Sequence, residues 1–394
     1  MDPFLNPYGP GAGTPPPELA GRDDLLSEAT LAMQRIRNRR PHKSLVLVGL
    51  RGVGKTVLLS RVHDTAKDIG YHSALIENTE DKSLAALIVP QLRRILFELD
   101  RLGAVSSVVK RSFRILRSFV GSLRIRLPGD FELGLDVDPE SGTADSGDLD
   151  TDLTELFVSV GEAALDRKTS VSILIDELQY LQPTEFSAVI MAIHRVNQLK
   201  LPLIFMGAGL PQIVGLAGKS KSYAERLFDF PVVGALDDRN AKLALSEPAK
   251  RENVVFTMDA LDELVRITAG YPYFIQEWGY HTWNTAPESP IRLIDVKEAN
   301  EKAIHRLDES FFKVRFERLR PSEKRYLRAM AELGPGPQRS GDIATVYGTD
   351  VTSAGPIRAK VVAKGMIYSP AHGDNAFTVP LFDQYLKRAL PSYK

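Results

Sequence analysis

Apolar residues along the chain fall into two kinds of stretch. Short, mostly apolar stretches stand at residues 45–48, 73–77, 170–176 and 201–206. Between them apolar positions recur at helical spacing over about 56–69, 84–99, 107–120 and 153–165. Runs that short, without polar alternation, read as strands buried on both faces, and strands separated by helices predict a parallel α/β sheet. A further helix precedes the first strand, with apolar positions at Leu31, Met33 and Ile36. Between residues 122 and 137 the period becomes two: Leu123, Ile125 and Leu127 share one parity, and Phe131, Leu133, Leu135 and Val137 another. With Pro128-Gly129-Asp130 as the turn, this predicts a hairpin with one apolar face. From residue 236 the strand pattern stops, and four helices are predicted over 238–250, 259–268, 273–283 and 295–307.

The last segment starts with a helix over 322–333, broken by Gly334-Pro335-Gly336-Pro337. A second helix covers 340–347, and a third runs to Lys364, with Pro356 in its first turn where a missing N–H costs little. Two short strands, 366–368 and 376–379, then flank a turn as a wing, giving a winged-helix organisation. The expected layout is therefore an extended Pro/Gly-rich arm (1–17), an α/β core (18–235) with an insertion at 107–150, a helical domain (236–308) and a winged helix (309–394).

Charge changes this picture only locally. Lys+Arg and Asp+Glu balance at 50 each, but residues 309–394 hold 14 basic and 8 acidic residues, a formal +6. The chain has no cysteine, which excludes disulfides, zinc–thiolate sites and thiol catalysis. No apolar run approaches the ~20 residues of a membrane helix, and the acidic, Pro/Gly-rich N-terminus lacks the basic-then-apolar form of a signal peptide. The expectation is a cytoplasmic protein without a membrane partner.

The chemistry concentrates where the first strand ends. Gly49-Leu50-Arg51-Gly52-Val53-Gly54-Lys55-Thr56, followed by Val57, is G-x-x-x-x-G-K-T between a buried strand and a helix, the context of a phosphate-binding P-loop. Gly49, Gly52 and Gly54 let the backbone N–H groups close on phosphates, and the helix adds the positive end of its dipole. Lys55 suits the β- and γ-phosphates of ATP, and the Thr56 hydroxyl suits Mg²⁺. The strand 170–176 ends in Asp176-Glu177, the Walker B pattern: Asp176 to hold Mg²⁺ through water, Glu177 to act as general base on the attacking water.

With these motifs in place, Gly21-Arg22-Asp23 upstream of the P-loop resembles the lead-in segment of STAND and origin-recognition-type AAA+ ATPases. The resemblance implies that Gly21 and Arg22 pack against adenine. AAA+ proteins usually carry a polar sensor at the end of the next strand, where this chain has Gly207-Ala208-Gly209. Arg226 stands where those ATPases keep an arginine finger, and equally fits a surface residue or an internal ion-pair partner. Gly270-Tyr271-Pro272 is explained by helix caps, and also resembles the STAND GxP motif, which implies a nucleotide contact by Pro272. Origin-recognition relatives have an arginine where this chain has Tyr273, which favours the STAND side.

For the C-terminal segment two readings stand. Arg358, Lys360 and Lys364 project from the expected recognition helix and suit double-stranded DNA. Many winged helices instead dock proteins or autoinhibit, as in a STAND signalling scaffold, with self-association included. A second basic group, Lys110, Arg111, Arg114, Arg117, Arg124 and Arg126, is met by forty residues without Lys or Arg, so self-pairing within the insertion is preferred there to DNA contact. The sequence thus predicts an ATP-binding and hydrolysing switch.

Overall fold

The computed structural model describes all residues except 12, 14, 104, 124–136, 222, 223, 393 and 394. Contacts divide the chain into two compact units. One comprises Met1–Gly21, Leu50–Gly54 and Val233–Lys394, the other Arg22–Gly49 and Lys55–Val232.

The second unit holds a five-stranded parallel sheet, in the order β2-β3-β4-β1-β5, of β1 (Ser44–Val48), β2 (Tyr71–Glu77), β3 (Ser170–Asp176), β4 (Leu203–Gly209) and β5 (Phe228–Asp229). Every residue of β1, β3 and β4 is buried, as expected for strands covered on both faces. Helices Lys55–Asp68, Leu84–Asp100, Ser107–Ser122, Leu149–Asp166 and Pro183–Gln198 surround it. Their starts are locally encoded: Ser83, Ser106 and Asp148 each accept a backbone N–H from the first turn, and Pro183 occupies a first-turn position. The core gathers Val46, Ile173, Ile175, Phe205, Phe186 and Phe157.

Three strands differ from expectation: β2 starts two residues earlier than expected, at Tyr71, paired there with Ser170 of β3. The run expected over 201–206 starts two residues later and continues through Gly207-Ala208-Gly209, because those residues pair with Val46–Val48 of β1. The two-residue β5 exists only by pairing with Ser44 and Leu45, a signal too short for periodicity to carry. The hairpin expected over 122–137, with Arg124 and Arg126, lies outside the described residues but for its ends. Before it, Arg111 and Arg114 each bind Glu140, at 3.1 and 2.7 Å, so these two cations are paired within the insertion.

In the first unit, helices Asp238–Arg251, Met258–Thr268, Pro272–Thr285 and Leu293–Leu307 stand where four helices are expected. Trp278 and Trp283 are fully buried. The Trp278 indole donates to Asn300 Oδ1 at 2.9 Å, and that of Trp283 to the Asp2 carbonyl at 2.9 Å. The arm expected to be weakly structured is therefore packed over its first residues. Tyr8 is buried with its hydroxyl on the Leu245 carbonyl, an aromatic anchor that outweighs the Pro/Gly composition.

The C-terminal segment follows in the order helix Pro321–Glu332, β6 (Gln338–Arg339), helices Ser340–Tyr347 and Val351–Ala363, β7 (Ile367–Tyr368) and β8 (Asp374–Phe377). The strands form an antiparallel sheet in the order β6-β8-β7, so the two-stranded wing gains a third strand between the first two helices. This is winged-helix connectivity. Among the described residues no helix is long and apolar enough to cross a membrane.

Candidate nucleotide site

β1 delivers the chain to Gly49, whose N–H donates to the Gly209 carbonyl at 3.2 Å, tying the start of the P-loop to the end of β4. Gly52 and Gly54 follow with φ of +83° and +92°, a region that side chains other than glycine rarely adopt. The loop closes into helix Lys55–Asp68, with Lys55 buried in its first turn and Val57 half-buried. Val53 is buried.

Within the second unit, Lys55, Thr56, Asp176 and Glu177 come together at the C-terminal edge of the sheet. Asp176 ends β3 and is 4 % exposed. Burial pushes its carboxyl up, and the Glu177 charge adds to that, while a hydrogen bond with Thr56 and the charge of Lys55 act against it. Glu177 has left-handed backbone at φ +55°, and its N–H donates to Asp176 Oδ1 at 2.8 Å. Strain in a non-glycine residue of this kind collects at functional sites. The Glu177 carboxylate accepts from the Gln179 amide. Asn78, directly after β2, donates its backbone N–H to the Asp176 carbonyl at 3.2 Å. Its side-chain amide nitrogen is buried without a hydrogen-bond partner among the described residues.

This set fits a Mg·nucleotide. A hydroxyl and a carboxylate are hard oxygen donors, and Mg²⁺ is commonly held by one or two protein oxygens together with phosphates. The pushed-up Asp176 carboxyl gains a counter-charge when the metal binds.

Within the first unit, the loop residues Leu50–Gly54 are held by the start of helix Pro272–Thr285. The Tyr271 hydroxyl donates to the Arg51 carbonyl, and the Tyr273 N–H to the Gly52 carbonyl at 3.1 Å. Pro272 sits between them at the first helical position. Gly21 lies against Asn240 in the same unit. Arg22 precedes helix Asp23–Arg37 in the other unit, 9 % exposed, with its guanidinium lowered by burial. Arg226 is exposed on the short helix Ala224–Leu227.

The winged-helix cations are used unequally. Arg358 donates to Asn375 Oδ1 at 2.6 Å and to the Ser369 hydroxyl. Lys364 pairs with the buried Glu323 at 2.6 Å and donates to the Arg318 carbonyl at 2.8 Å. These two side chains thus brace the domain, and Lys360 remains exposed. Helical spacing alone placed all three on one element and showed nothing of partners on the wing or the preceding helix. Gln179, Asn78 and Tyr271 escaped the sequence reading as site residues. Their only signal was adjacency to the Asp-Glu pair, to the end of β2 and to Pro272.

A parallel sheet with a P-loop after β1 and Asp-Glu at the end of β3 is the fold of a P-loop NTPase. Residues 18–206 match the AAA ATPase domain family, which supports a P-loop ATPase of the AAA+ class. Residues 309–386 match a domain family of unknown function, DUF8462. Among solved structures, the Walker-type ATPase of Pyrococcus abyssi is similar at TM-score 0.58 and 16 % identity, over 94 % of this chain and 96 % of that one. The Orc1 protein of Aeropyrum pernix, solved in complex with DNA, gives 0.48 and 14 % over 98 % and 96 %. Cdc6p from Pyrobaculum aerophilum gives 0.47 and 15 % over 99 % of each. At 16 % identity the likeness to the Pyrococcus abyssi ATPase is one of fold. No curated protein sequence matches the chain.

Proposed function

We propose that the protein is a cytoplasmic ATP-binding and hydrolysing switch of the AAA+/STAND type. One observation carries the reading: the buried Asp176 carboxyl at the end of β3 is acted on by Thr56 and Lys55 from the start of the P-loop helix and by Glu177 next to it, so the four groups share one site. Lys55 neutralises the β- and γ-phosphates, and Thr56 with Asp176 holds Mg²⁺, which polarises the phosphoryl oxygens when bound. Glu177 takes the proton of the attacking water. Gly49, Gly52, Val53, Gly54 and Val57 shape the phosphate cradle, Gly21, Arg22 and Pro272 meet the rest of the nucleotide, and Arg226 acts on the transferring phosphoryl group. The STAND assignment is supported by the grip of Tyr271 and Tyr273 on the P-loop backbone.

The measurement is ATP affinity and turnover in two variants. Lys55→Ala is expected to abolish tight binding. Glu177→Gln keeps binding and slows hydrolysis by roughly 10²–10⁴-fold, the size of a lost general base. Unchanged ATP affinity in Lys55→Ala defeats the site assignment.

For the output, the +6 charge of residues 309–394 and the exposed Lys360 support contact with double-stranded DNA. The engagement of Arg358 and Lys364 inside the domain favours a second reading, in which the winged helix docks a protein or autoinhibits. Fluorescence anisotropy with duplex DNA at several salt concentrations, with and without a slowly hydrolysed ATP analogue, separates the two. Absence of binding at low salt in both nucleotide states leaves the second.

A further inference from the structure

The end of β4 has no polar side chain, only Gly207-Ala208-Gly209, and the structure shows what fills the space. The single-turn helix Leu178–Tyr180, directly after Glu177, folds back over β4. A Cβ on Gly207 would lie 2.4 Å from Leu178 Cδ1, and one on Gly209 would lie 3.2 Å from Gln179 Oε1. A side chain on Gly207 would displace the Leu178 side chain, and one on Gly209 would press on the Gln179 amide.

Gln179 lies over this strand end with both ends of its amide engaged. Its Oε1 accepts the backbone N–H of Leu210, the residue after β4, at 3.0 Å. The orientation of an amide group is ordinarily ambiguous, but a backbone N–H demands the oxygen. The NH₂ then faces the other way, where it donates to the Glu177 carboxylate. The Glu177 backbone is pinned separately, through its N–H on Asp176 Oδ1.

We infer that Gln179 is a positioning residue for hydrolysis, coupling the end of β4 to the Glu177 carboxylate in place of a polar side chain on β4. This rests on the reading of Glu177 as general base. The Leu210 bond sets the amide, the amide aims the carboxylate, and the carboxylate meets the water in line with the γ-phosphate. Gly49 also donates to the Gly209 carbonyl, so the strand end that holds Gln179 is tied to the start of the P-loop as well. A displacement of about 1 Å at a reacting group costs on the order of 10²-fold in rate, which sets the scale of the effect.

The test compares single-turnover ATP hydrolysis, ATP affinity and melting temperature in the full chain. Gln179→Glu keeps an oxygen for Leu210 and turns the donor toward Glu177 into an acceptor. Gln179→Met keeps the length and removes both bonds. Both are expected to slow hydrolysis by about 10²-fold with ATP affinity unchanged. In a Glu177→Gln background, Gln179→Met is expected to add no further loss, since the two act as a unit. A wild-type rate in Gln179→Glu, or a fully multiplicative loss in the double variant, overturns the inference: the glutamine then only closes the turn. A wild-type rate in Glu177→Gln alone is a different failure. It removes the general-base reading, and the inference with it, without any Gln179 variant being involved.

Discussion

At the scale of single residues, the winged helix shows how a charge can be structural. Burial alone pushes the Glu323 carboxyl up, but the Lys364 ammonium at 2.6 Å and the Arg320 N–H at 2.8 Å outweigh it and hold the group below its ordinary value. A carboxylate with a depressed folded-state pKa contributes stability above its unfolded pKa, and that contribution fades as pH falls through the folded one. Lys364 is about one-third exposed, so the pair is partly screened. Lys364→Ala is expected to cost about 1–3 kcal/mol in urea denaturation at pH 7, mostly from the buried carboxylate left behind, with the deficit shrinking toward pH 4. Arg358→Ala strips a donor from Asn375, a fully buried residue, and should also lower the melting temperature. Lys360→Ala should leave stability unchanged. If the domain binds DNA, that substitution flattens the log–log salt dependence of binding by about one unit.

At the scale of elements, the head of helix Pro272–Thr285 holds the P-loop by two of the loop's backbone carbonyls. Proline opens the helix without an N–H to satisfy, and its neighbours supply the Tyr271 hydroxyl and the Tyr273 N–H to two loop carbonyls. Burial pushes the Tyr271 phenol well up, so it stays a donor throughout the physiological range. Tyr271→Phe removes that bond for about 1 kcal/mol, which corresponds to roughly fivefold in an equilibrium. The expected outcome is severalfold faster release of a fluorescent ADP analogue in stopped flow, with Lys55-dependent binding retained. An unchanged release rate means the Tyr271 bond does not restrain the loop during exchange.

At the scale of the whole molecule, nucleotide binding and folding are linked by mass action. Mg·ATP at 100 times its Kd is expected to stabilise the protein by about 2.7 kcal/mol, visible as a rise in melting temperature that Lys55→Ala abolishes. Much of the architecture was legible beforehand. Short, mostly apolar stretches gave β1, β2 and β3, glycine spacing gave the P-loop, and Asp176-Glu177 marked the end of β3, because burial on both faces and close phosphate approach leave local traces in composition and order. The rest depended on partners distant in sequence. The two-residue β5, the extension of β4 through Gly209, the Asp2–Trp283 bond and the Glu323–Lys364 pair each join segments whose local pattern says nothing of the other. Periodicity records which side of an element is buried, but it does not record what the element is buried against. The chain's own order therefore specified the P-loop turn and the Asp176-Glu177 pair at the end of β3. Tertiary packing decided that Arg358 and Lys364 brace the domain, and that Gln179 stands beside the Glu177 carboxylate.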